Sequence, residues 1–306
     1  MKVLVATEKP FAAAAVKGIK DELEKAGYEL SLLEGYTDKN ELLSAVKEAD
    51  ALVVRSDKVD NEVISAANKL KIVVRAGAGY DNLDLDACNS RNVVAMNTPG
   101  QNSNAVAELA FGMMVYMARG GFNGKPGIEL RGKTLGIHAY GNVGKYVARI
   151  AQGFGMKIYA FDPFVGADVI QKDGIMPLKT VEELYSTCQY VSLHIPANDQ
   201  TKGSIGYKLL NMMPGNAVLV NTARKEVINE PELMKIFAER DDFNYISDIA
   251  PDCSEDIKSN YGGRFFFTPK KMGAQTAEAN INAGLAAARQ IIAFLEKGDE
   301  TFRVNK

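Results

Sequence analysis

The stretch from Leu135 to Asp162 constrains the fold of this chain more than any other part of its sequence. A short apolar run, Thr134–His138, has the length of a buried strand and leads into the turn Ala139–Gly144. Apolar residues then recur at helical spacing, and a second apolar run, Met156–Phe161, ends in Asp162. Strand, glycine turn, helix, strand and acid, in this order, predict a βαβ unit that binds a nucleotide.

Each part of this turn suits one part of a dinucleotide. Gly141 has no Cβ, so the backbone can approach a pyrophosphate, and Gly144 lets the helix pack closely on the strand. The helix N-terminus offers free N–H groups and the positive end of its dipole to the phosphates. The predicted cofactor-binding turn is Tyr140, Gly141, Asn142, Val143 and Gly144.

Asp162 places a carboxylate at the tip of the second strand, where it can accept hydrogen bonds from ribose hydroxyls. A carboxylate at this position repels a 2′-phosphate, so the pattern favours NAD over NADP. The first glycine of the G-x-G-x-x-G pattern is replaced by Ala139. The alternative interpretation is an ordinary βαβ packing unit whose glycines only make turns.

Composition excludes several classes of protein. The net charge of −2 gives no electrostatic basis for binding nucleic acid or an anionic membrane. Three isolated cysteines favour a reducing cytoplasm, and with only two histidines they lead us to predict no metal site. No apolar run has the length of a membrane span, and the N-terminal apolar run is too short for a signal peptide. We therefore predict a cytoplasmic protein that acts on a small molecule.

Strands alternate with helices along the chain, which predicts an α/β fold with doubly wound parallel sheets. Six predicted strands from Lys133 onward fill a dinucleotide-binding domain, and the residues before them form a second, smaller domain. Arg55 and Arg75 end successive strands of the smaller domain, where such sheets bind ligands. We predict a phosphate or carboxylate site there, with solvated surface charges as the alternative. The active site is expected in the cleft between the domains.

The motifs, taken in order, resemble those of the D-2-hydroxyacid dehydrogenase family over nearly the full length of the chain. They are the glycine turn with Asp162, Val191–Pro196, Asn221–Arg224, Asn97–Gly100 with Ala107–Leu109, and Thr268–Ala274. The resemblance implies a Rossmann-type NAD domain at 98–277 and a flavodoxin-like substrate domain at 1–97 plus 278–306. It also implies an NAD-dependent oxidoreductase that forms a homodimer.

Within the family, the chain is most similar to the branch that oxidises D-3-phosphoglycerate in the first step of serine biosynthesis. The similarity rests on Val54–Ser56 and Arg75–Gly79, and it assigns Arg55, Ser56 and Arg75 to the substrate phosphate. Because the sequence stops at residue 306, we expect no C-terminal regulatory domain of the kind found in longer relatives. Two alternatives stay open: a dehydrogenase for another D-2-hydroxy acid, and a non-catalytic NAD-sensing protein like the C-terminal-binding corepressors.

The resemblance also assigns roles to single residues. Arg224 corresponds to the family arginine that holds the 2-oxo-acid carboxylate and polarises its carbonyl, a task that suits its planar fork. The remaining substrate contacts implied are Gly77, Ala78 and Asn102, and the remaining cofactor contacts are His194, Pro196, Thr222 and Asp248. For His194 the alternative is a packed histidine at a strand end, and His138 is predicted to be a core residue.

The acid/base group departs from the family pattern. A histidine usually follows Thr-Pro directly, whereas here Thr268-Pro269 is followed by Lys270 and Lys271. One residue is inserted, so either lysine can occupy the position of the histidine, and the sequence leaves the register open. An ammonium can protonate the alkoxide formed when a ketone is reduced. Accepting a proton in the other direction requires a pKa lowered by burial or by a cation such as Arg224.

The glutamate that supports the family histidine is missing as well. Cys253 stands at its position, and Asp252 and Glu255 are the nearby carboxylates. An ammonium needs less tuning by a carboxylate than an imidazole does, so the two losses are chemically consistent. The alternative is that both lysines are surface charges and the protein is inactive.

Overall fold

Two parallel β-sheets organise residues 1–305, the part of the chain that this computed structural model describes. Unit 1 consists of residues 1–102 together with the chain from Gln275 onward, and unit 2 consists of Ser103–Ala274. The sheet of unit 1 has five strands and that of unit 2 has seven. The prediction of an α/β fold with two parallel-sheet domains is therefore confirmed.

Unit 1 has a flavodoxin-like sheet covered on both faces. Its strands are β1 (Lys2–Thr7), β2 (Glu29–Glu34), β3 (Ala51–Val54), β4 (Ile72–Arg75) and β5 (Val94–Asn97). Its helices are α1 (Ala13–Lys25), α2 (Lys39–Ala45), α3 (Asn61–Ala66), α4 (Leu85–Ser90) and α12 (Ala277–Lys297). The strand order is β2-β1-β3-β4-β5, and all four residues of β3 are buried, as a strand with helices on both faces requires.

Unit 2 has the strand arrangement of dinucleotide-binding domains. Its strands are β6 (Thr134–His138), β7 (Lys157–Phe161), β8 (Met176–Pro177), β9 (Tyr190–Leu193), β10 (Val218–Asn221), β11 (Asn244–Ser247) and β12 (Phe265–Phe267). Its helices are α5 (Ser103–Ala118), α6 (Asn142–Gly153), α7 (Ala167–Lys172), α8 (Val181–Thr187), α9 (Tyr207–Met212), α10 (Glu230–Glu239) and α11 (Ser254–Asn260). The order is β12-β11-β10-β9-β6-β7-β8, so strands β6 to β8 are added toward one side of the sheet and β9 to β12 toward the other, with the switch between β6 and β9. Ligands of such sheets bind at this point.

The structure differs from the predicted elements where the elements are short. Unit 2 has a seventh strand, β8, which consists of two residues, so the prediction of six strands was one too low. The helices α4, α7 and α11, each six or seven residues long, were also not predicted. Three short 3-10 helices, Val46–Glu48, Gly120–Phe122 and Lys225–Val227, complete the described elements.

Helix α5 is apolar nearly all round because it is part of the core of unit 2. Nine of its sixteen residues are buried, and Phe111 stacks on Phe154 with ring centroids 4.9 Å apart. In residues 1–305, no helix combines the length and the apolar character that crossing a membrane requires.

Candidate active site

The two glycines of the turn after β6 differ in what their surroundings demand. Gly141 is the N-cap of α6 at φ −80°, and a Cβ added to it would meet no atom within 4 Å. A Cβ on Gly144 would lie 2.4 Å from the carbonyl oxygen of Ala139 and 3.1 Å from Cγ2 of Ile137. Gly144 is therefore required for helix packing, whereas Gly141 leaves open space beside the free N–H groups of α6. That space suits a pyrophosphate.

Ala139 and Tyr140 begin the same turn in unusual ways. Ala139 has φ +81°, the left-handed region that costs an alanine about 1–2 kcal/mol and that the more usual glycine adopts freely. The ring of Tyr140 is buried, and its hydroxyl donates to Asp173 at 3.0 Å. The side chain of Tyr140 is therefore part of the core, and its backbone is what it presents to a ligand.

Asp162 directly follows β7 and holds the turn together. Its Oδ2 accepts a hydrogen bond from the backbone N–H of Tyr140 at 2.7 Å. Its Oδ1 accepts from the N–H groups of Phe164 at 2.8 Å and Val165 at 3.2 Å. A carboxylate offers about four lone-pair positions, so it can still accept from a ribose hydroxyl. Asn142 and Val143 form the first turn of α6 beside it.

The two histidines of the chain are both neutral at physiological pH. His194 follows β9, with Nε2 3.0 Å from the hydroxyl of Ser192 and Nδ1 3.4 Å from that of Thr222. Burial and the neighbouring His138 lower the pKa of His194 to about 3. Burial lowers the pKa of His138 to about 4, and its Nδ1 lies 3.3 Å from the Tyr185 hydroxyl. Neither ring is therefore a protonated imidazolium that could act as a general acid at neutral pH.

The structure separates the two lysines after Thr268-Pro269. Lys270 is exposed to solvent, whereas Lys271 is largely buried and its Nζ donates to the carbonyl oxygen of Ala223 at 2.6 Å. Burial and the charge of Arg224 lower the pKa of Lys271 to about 8, although Asp248 and Glu226 act in the opposite direction. Lys271 is therefore a basic group beside the predicted carboxylate-binding arginine, and it can both donate and accept a proton near neutral pH.

Arg224 and Asp248 follow the neighbouring strands β10 and β11, and both lie close enough to act on the charge of this lysine. Arg224 follows β10, its side chain is exposed, and its backbone carbonyl accepts a hydrogen bond from Asn221 at 3.0 Å. Asp248 follows β11 and is 1% exposed, with its carboxylate bonded to the loop that carries Lys271. Pro196 lies exposed beyond β9.

In unit 1, Arg55 is held in place by three hydrogen bonds. Its Nη1 donates to the carbonyl oxygens of Lys9 at 2.9 Å and Pro10 at 3.1 Å, and its Nη2 donates to Oδ1 of Asn280 at 2.7 Å. The guanidinium also lies 5.1 Å from the centre of the Phe11 ring, close enough for a cation–π interaction. A guanidinium has five N–H donors, so two remain for a ligand.

Of the other predicted substrate residues of unit 1, Arg75 is bonded to Arg55 and Gly77 lies beside Arg75. Nε of Arg75 donates to the carbonyl oxygen of Arg55 at 3.0 Å. Gly77 has φ +149°, where a side chain is strained, and a Cβ on it would lie 1.6 Å from Nη1 of Arg75 and displace that guanidinium. Ser56 and Ala78 are exposed, and Asn102 is half-buried between β5 and α5.

Several residues that shape the site were not identified from the sequence. Asn280 reaches Arg55 across 225 positions of the chain, and the Ala223 carbonyl holds Lys271 across 48. Asp57, which is 2% exposed, accepts hydrogen bonds from the backbone N–H groups of Glu8 and Arg55. No local pattern indicates the contacts among these that join residues distant in sequence. The described residues contain no cluster of three or more His, Cys, Asp or Glu side chains that could hold a metal ion.

Comparison with known proteins identifies similar chains. The family model for the D-isomer-specific 2-hydroxyacid dehydrogenase catalytic domain matches residues 5–305. D-3-phosphoglycerate dehydrogenase of Methanocaldococcus jannaschii is 36% identical over 288 residues, which cover 88% of this chain and 54% of that protein. Hydroxypyruvate reductase of Thermotoga maritima is 33% identical, with coverage of 86% and 90%.

Among solved structures, an NAD⁺-bound 3-phosphoglycerate dehydrogenase of Entamoeba histolytica is 51% identical, with a TM-score of 0.85. The match covers 100% of this chain and 99% of that one. The chain therefore spans about half the length of the M. jannaschii protein and nearly all of the E. histolytica protein.

Proposed function

The chain belongs to the D-isomer-specific 2-hydroxyacid dehydrogenase family, and on this premise we propose that it oxidises D-3-phosphoglycerate to 3-phosphohydroxypyruvate with NAD. The observation that carries the proposal is Lys271, a partly buried lysine whose Nζ is bonded to the carbonyl oxygen of Ala223 and whose pKa is lowered to about 8 beside Arg224. The relatives named as phosphoglycerate dehydrogenases, one of them solved with NAD⁺, support the substrate and the cofactor.

In the proposed reaction, Arg224 binds the C1 carboxylate of the substrate and orients C2. Its fork can make two parallel hydrogen bonds, which fixes the direction of the carboxylate. The neutral amine of Lys271 takes the proton of the C2 hydroxyl during oxidation, and the ammonium returns it during reduction. Bound NAD would supply the hydride chemistry at C2.

The carbonyl oxygen of Ala223 gives Lys271 a fixed position for this proton transfer. A lysine has three N–H donors when charged, and in residues 1–305 one hydrogen bond of Nζ is made to protein, at 2.6 Å. The remaining hydrogens and, after deprotonation, the lone pair are available to the substrate. The neutral state of His194 leaves this role to the lysine.

Unit 1 supplies the proposed phosphate site through Arg55 and Arg75. We expect Arg55→Ala to lower kcat/KM for 3-phosphohydroxypyruvate by roughly 10²-fold, because hydrogen bonds to a charged group contribute about 1.5–3 kcal/mol. Steady-state NADH oxidation with hydroxypyruvate is the internal control, since that substrate has no phosphate and its kcat/KM should change by less than about threefold. An equal loss for both substrates would remove the phosphate role of Arg55.

The proposed NAD site rests on Gly141, whose added Cβ would enter open space beside the α6 N-terminus. Gly141→Ala should therefore raise the NADH Kd about 10- to 100-fold, the effect of roughly 1–3 kcal/mol of steric conflict, and leave the urea midpoint unchanged. The matched control, Gly144→Ala, should lower the urea midpoint because its Cβ meets backbone at 2.4 Å. Unaltered NADH binding in Gly141→Ala would refute the assignment of the turn.

We also propose that the protein forms a homodimer through apolar side chains near the end of α5. Phe122 is 65% exposed, Ile128 49% and Phe154 39%, and Ile128 and Phe154 line one hollow of about 210 Å³. A second copy of the chain would cover these side chains. Light scattering should give twice the chain mass of 33.2 kDa, and a mass equal to one chain would contradict the proposal.

A further inference from the structure

The carboxylate of Asp248 is buried, and both of its oxygens are bonded to the loop that carries Lys271. Oδ1 accepts from the hydroxyl of Thr268 at 2.9 Å and from the N–H of Met272 at 2.7 Å. Oδ2 accepts from the N–H of Gly273 at 2.8 Å. The carboxylate is therefore hydrogen-bonded to the chain on both sides of Lys271, and a buried charge bonded in this way is costly to displace.

The backbone of Asp248 is itself fixed to the sheet. Its N–H donates to the carbonyl oxygen of Asn221 at 2.9 Å, which extends the pairing of β11 with β10 by one residue. Strand β10 leads directly to Ala223 and Arg224. The carboxyl ends of β10 and β11 thus determine both where the lysine-bearing loop is anchored and where the carbonyl oxygen that accepts from Nζ lies.

Gly273 and Ile249 indicate how closely this arrangement is specified. A Cβ on Gly273 would lie 2.9 Å from Oδ2 of Asp248 and 3.1 Å from Cγ2 of Val106, so a side chain there would displace the carboxylate. Ile249, directly after Asp248, has φ +122°, which is unusual for a β-branched residue. The hydrogen bonds of Asp248, the preceding residue, help to offset the free-energy cost of this backbone conformation.

We propose that Asp248 is a positioning residue for the proton-transferring Lys271, acting through the loop Thr268–Gly273. The inference rests on the proposed dehydrogenase function and deepens it. It differs from the cofactor contact that the family resemblance assigns to Asp248. The inserted residue is accommodated because Asp248 holds the loop at Met272 and Gly273, which leaves Lys270 in solvent and turns Lys271 inward.

The charge of Asp248 gives the proposal a signature that a purely structural role lacks. The charged groups that act on Lys271 are Arg224, which lowers its pKa together with burial, and Asp248 and Glu226, which raise it. Removing the charge of Asp248 removes one of the two groups that raise it. The pKa of Lys271 then falls further below its ordinary value, so the ammonium is lost at lower pH.

The test compares Asp248→Asn and Thr268→Val with the wild-type enzyme in the reduction of 3-phosphohydroxypyruvate at saturating NADH. Asp248→Asn presents an amide N–H₂ or a single oxygen where two acceptors are needed, and we expect kcat to fall at least about 10-fold. Its alkaline limb should move below the wild-type midpoint near pH 8. Because kcat is measured at saturating NADH, a weaker NADH affinity from loss of the cofactor contact assigned to Asp248 would not by itself lower it.

Thr268→Val removes one bond to the carboxylate and leaves its charge in place. We expect a smaller loss of kcat and an alkaline limb at the wild-type position, which separates loop geometry from charge. The chain has no tryptophan, so NADH binding can be followed by the emission of the nucleotide itself. Urea unfolding of each variant shows that the measured protein is folded, and if Asp248→Asn fails to fold, Thr268→Val alone decides.

Results of two kinds would overturn the proposal. One is an Asp248→Asn enzyme with unchanged kcat and an unmoved alkaline limb, or a Thr268→Val enzyme with wild-type kcat. The other is a loss of NADH affinity with normal kcat at saturation, which would assign Asp248 to the cofactor. If the wild-type protein prefers another 2-oxo acid, the same comparison is made with that acid. Absence of any turnover in the wild type contradicts the proposed function before Asp248 is tested.

Discussion

Replacing Lys271 with methionine should lower kcat for reduction of 3-phosphohydroxypyruvate by about 10³-fold, within the range that a positioned acid or base contributes. Methionine keeps much of the length and apolar stem of the lysine but has no proton to give. The side chain of Lys271 is largely buried and bonded to the carbonyl oxygen of Ala223 at 2.6 Å, so its loss also removes the fixed donor. Steady-state NADH oxidation measures the effect.

The matched control is Lys270→Met, which removes an exposed charge from the adjacent position. We expect it to retain kcat within about twofold, because an exposed lysine has no defined partner. If Lys270→Met instead loses activity, the register of the loop is wrong. If both variants remain active, the proton is transferred by another group.

The proton-transfer role of Lys271 also predicts how the rate of the wild-type enzyme changes with pH in each direction. Reduction needs the ammonium form of Lys271, so its rate should be constant at low pH and fall above about pH 8. Oxidation needs the neutral amine, so its rate should rise with pH and level off above the same value. Lys271→Met should lose both dependences on this group.

Replacing Arg224 with glutamine should lower kcat/KM by about 10³-fold, because the variant loses both the carboxylate anchor and a cation near the developing alkoxide. Arg224→Lys should recover only part of this loss, since a lysine keeps the charge but not the bidentate fork. The charge of Arg224 lowers the pKa of Lys271. In Arg224→Gln this pKa should therefore rise, and the residual reduction rate should fall at a higher pH than in the wild type.

This shift is opposite in direction to the one expected for Asp248→Asn, so the two variants check the local charge balance against each other. Kinetics at several pH values with 3-phosphohydroxypyruvate provide the measurement. An Arg224→Gln enzyme with unchanged kcat/KM would show that the substrate carboxylate is held elsewhere.

Much of the fold was predictable because its signals are local. Apolar runs four to six residues long predicted the long strands of both sheets, and the glycine turn with Asp162 predicted the central βαβ unit. The strand β8 and the helix α4 were not predicted, and β8, with two residues, is too short to show an alternation. Helix α4 begins at a local N-cap, in which the carboxylate of Asp84 accepts a hydrogen bond from the N–H of Ala87.

The candidate site was predictable as a set of residues but not as an arrangement. Arg224, Lys270 and Lys271 could be named from the motifs, yet the choice between the lysines depends on burial against Ala223, which is distant in sequence. The buried carboxylate of Asp248 likewise accepts hydrogen bonds from residues of the lysine loop that lie 20 to 25 positions further along the chain. Single-sequence patterns carry no information about such desolvated contacts.

The central claim is tested most directly by NADH oxidation with the wild-type protein and 3-phosphohydroxypyruvate, measured beside hydroxypyruvate. The account predicts a kcat/KM at least about 10²-fold higher for the phosphorylated acid, from the contacts of Arg55 and Arg75. Equal rates would contradict the phosphate site and leave a dehydrogenase for another D-2-hydroxy acid. No turnover of either acid despite NADH binding would contradict the enzymatic function and favour an NAD-sensing role.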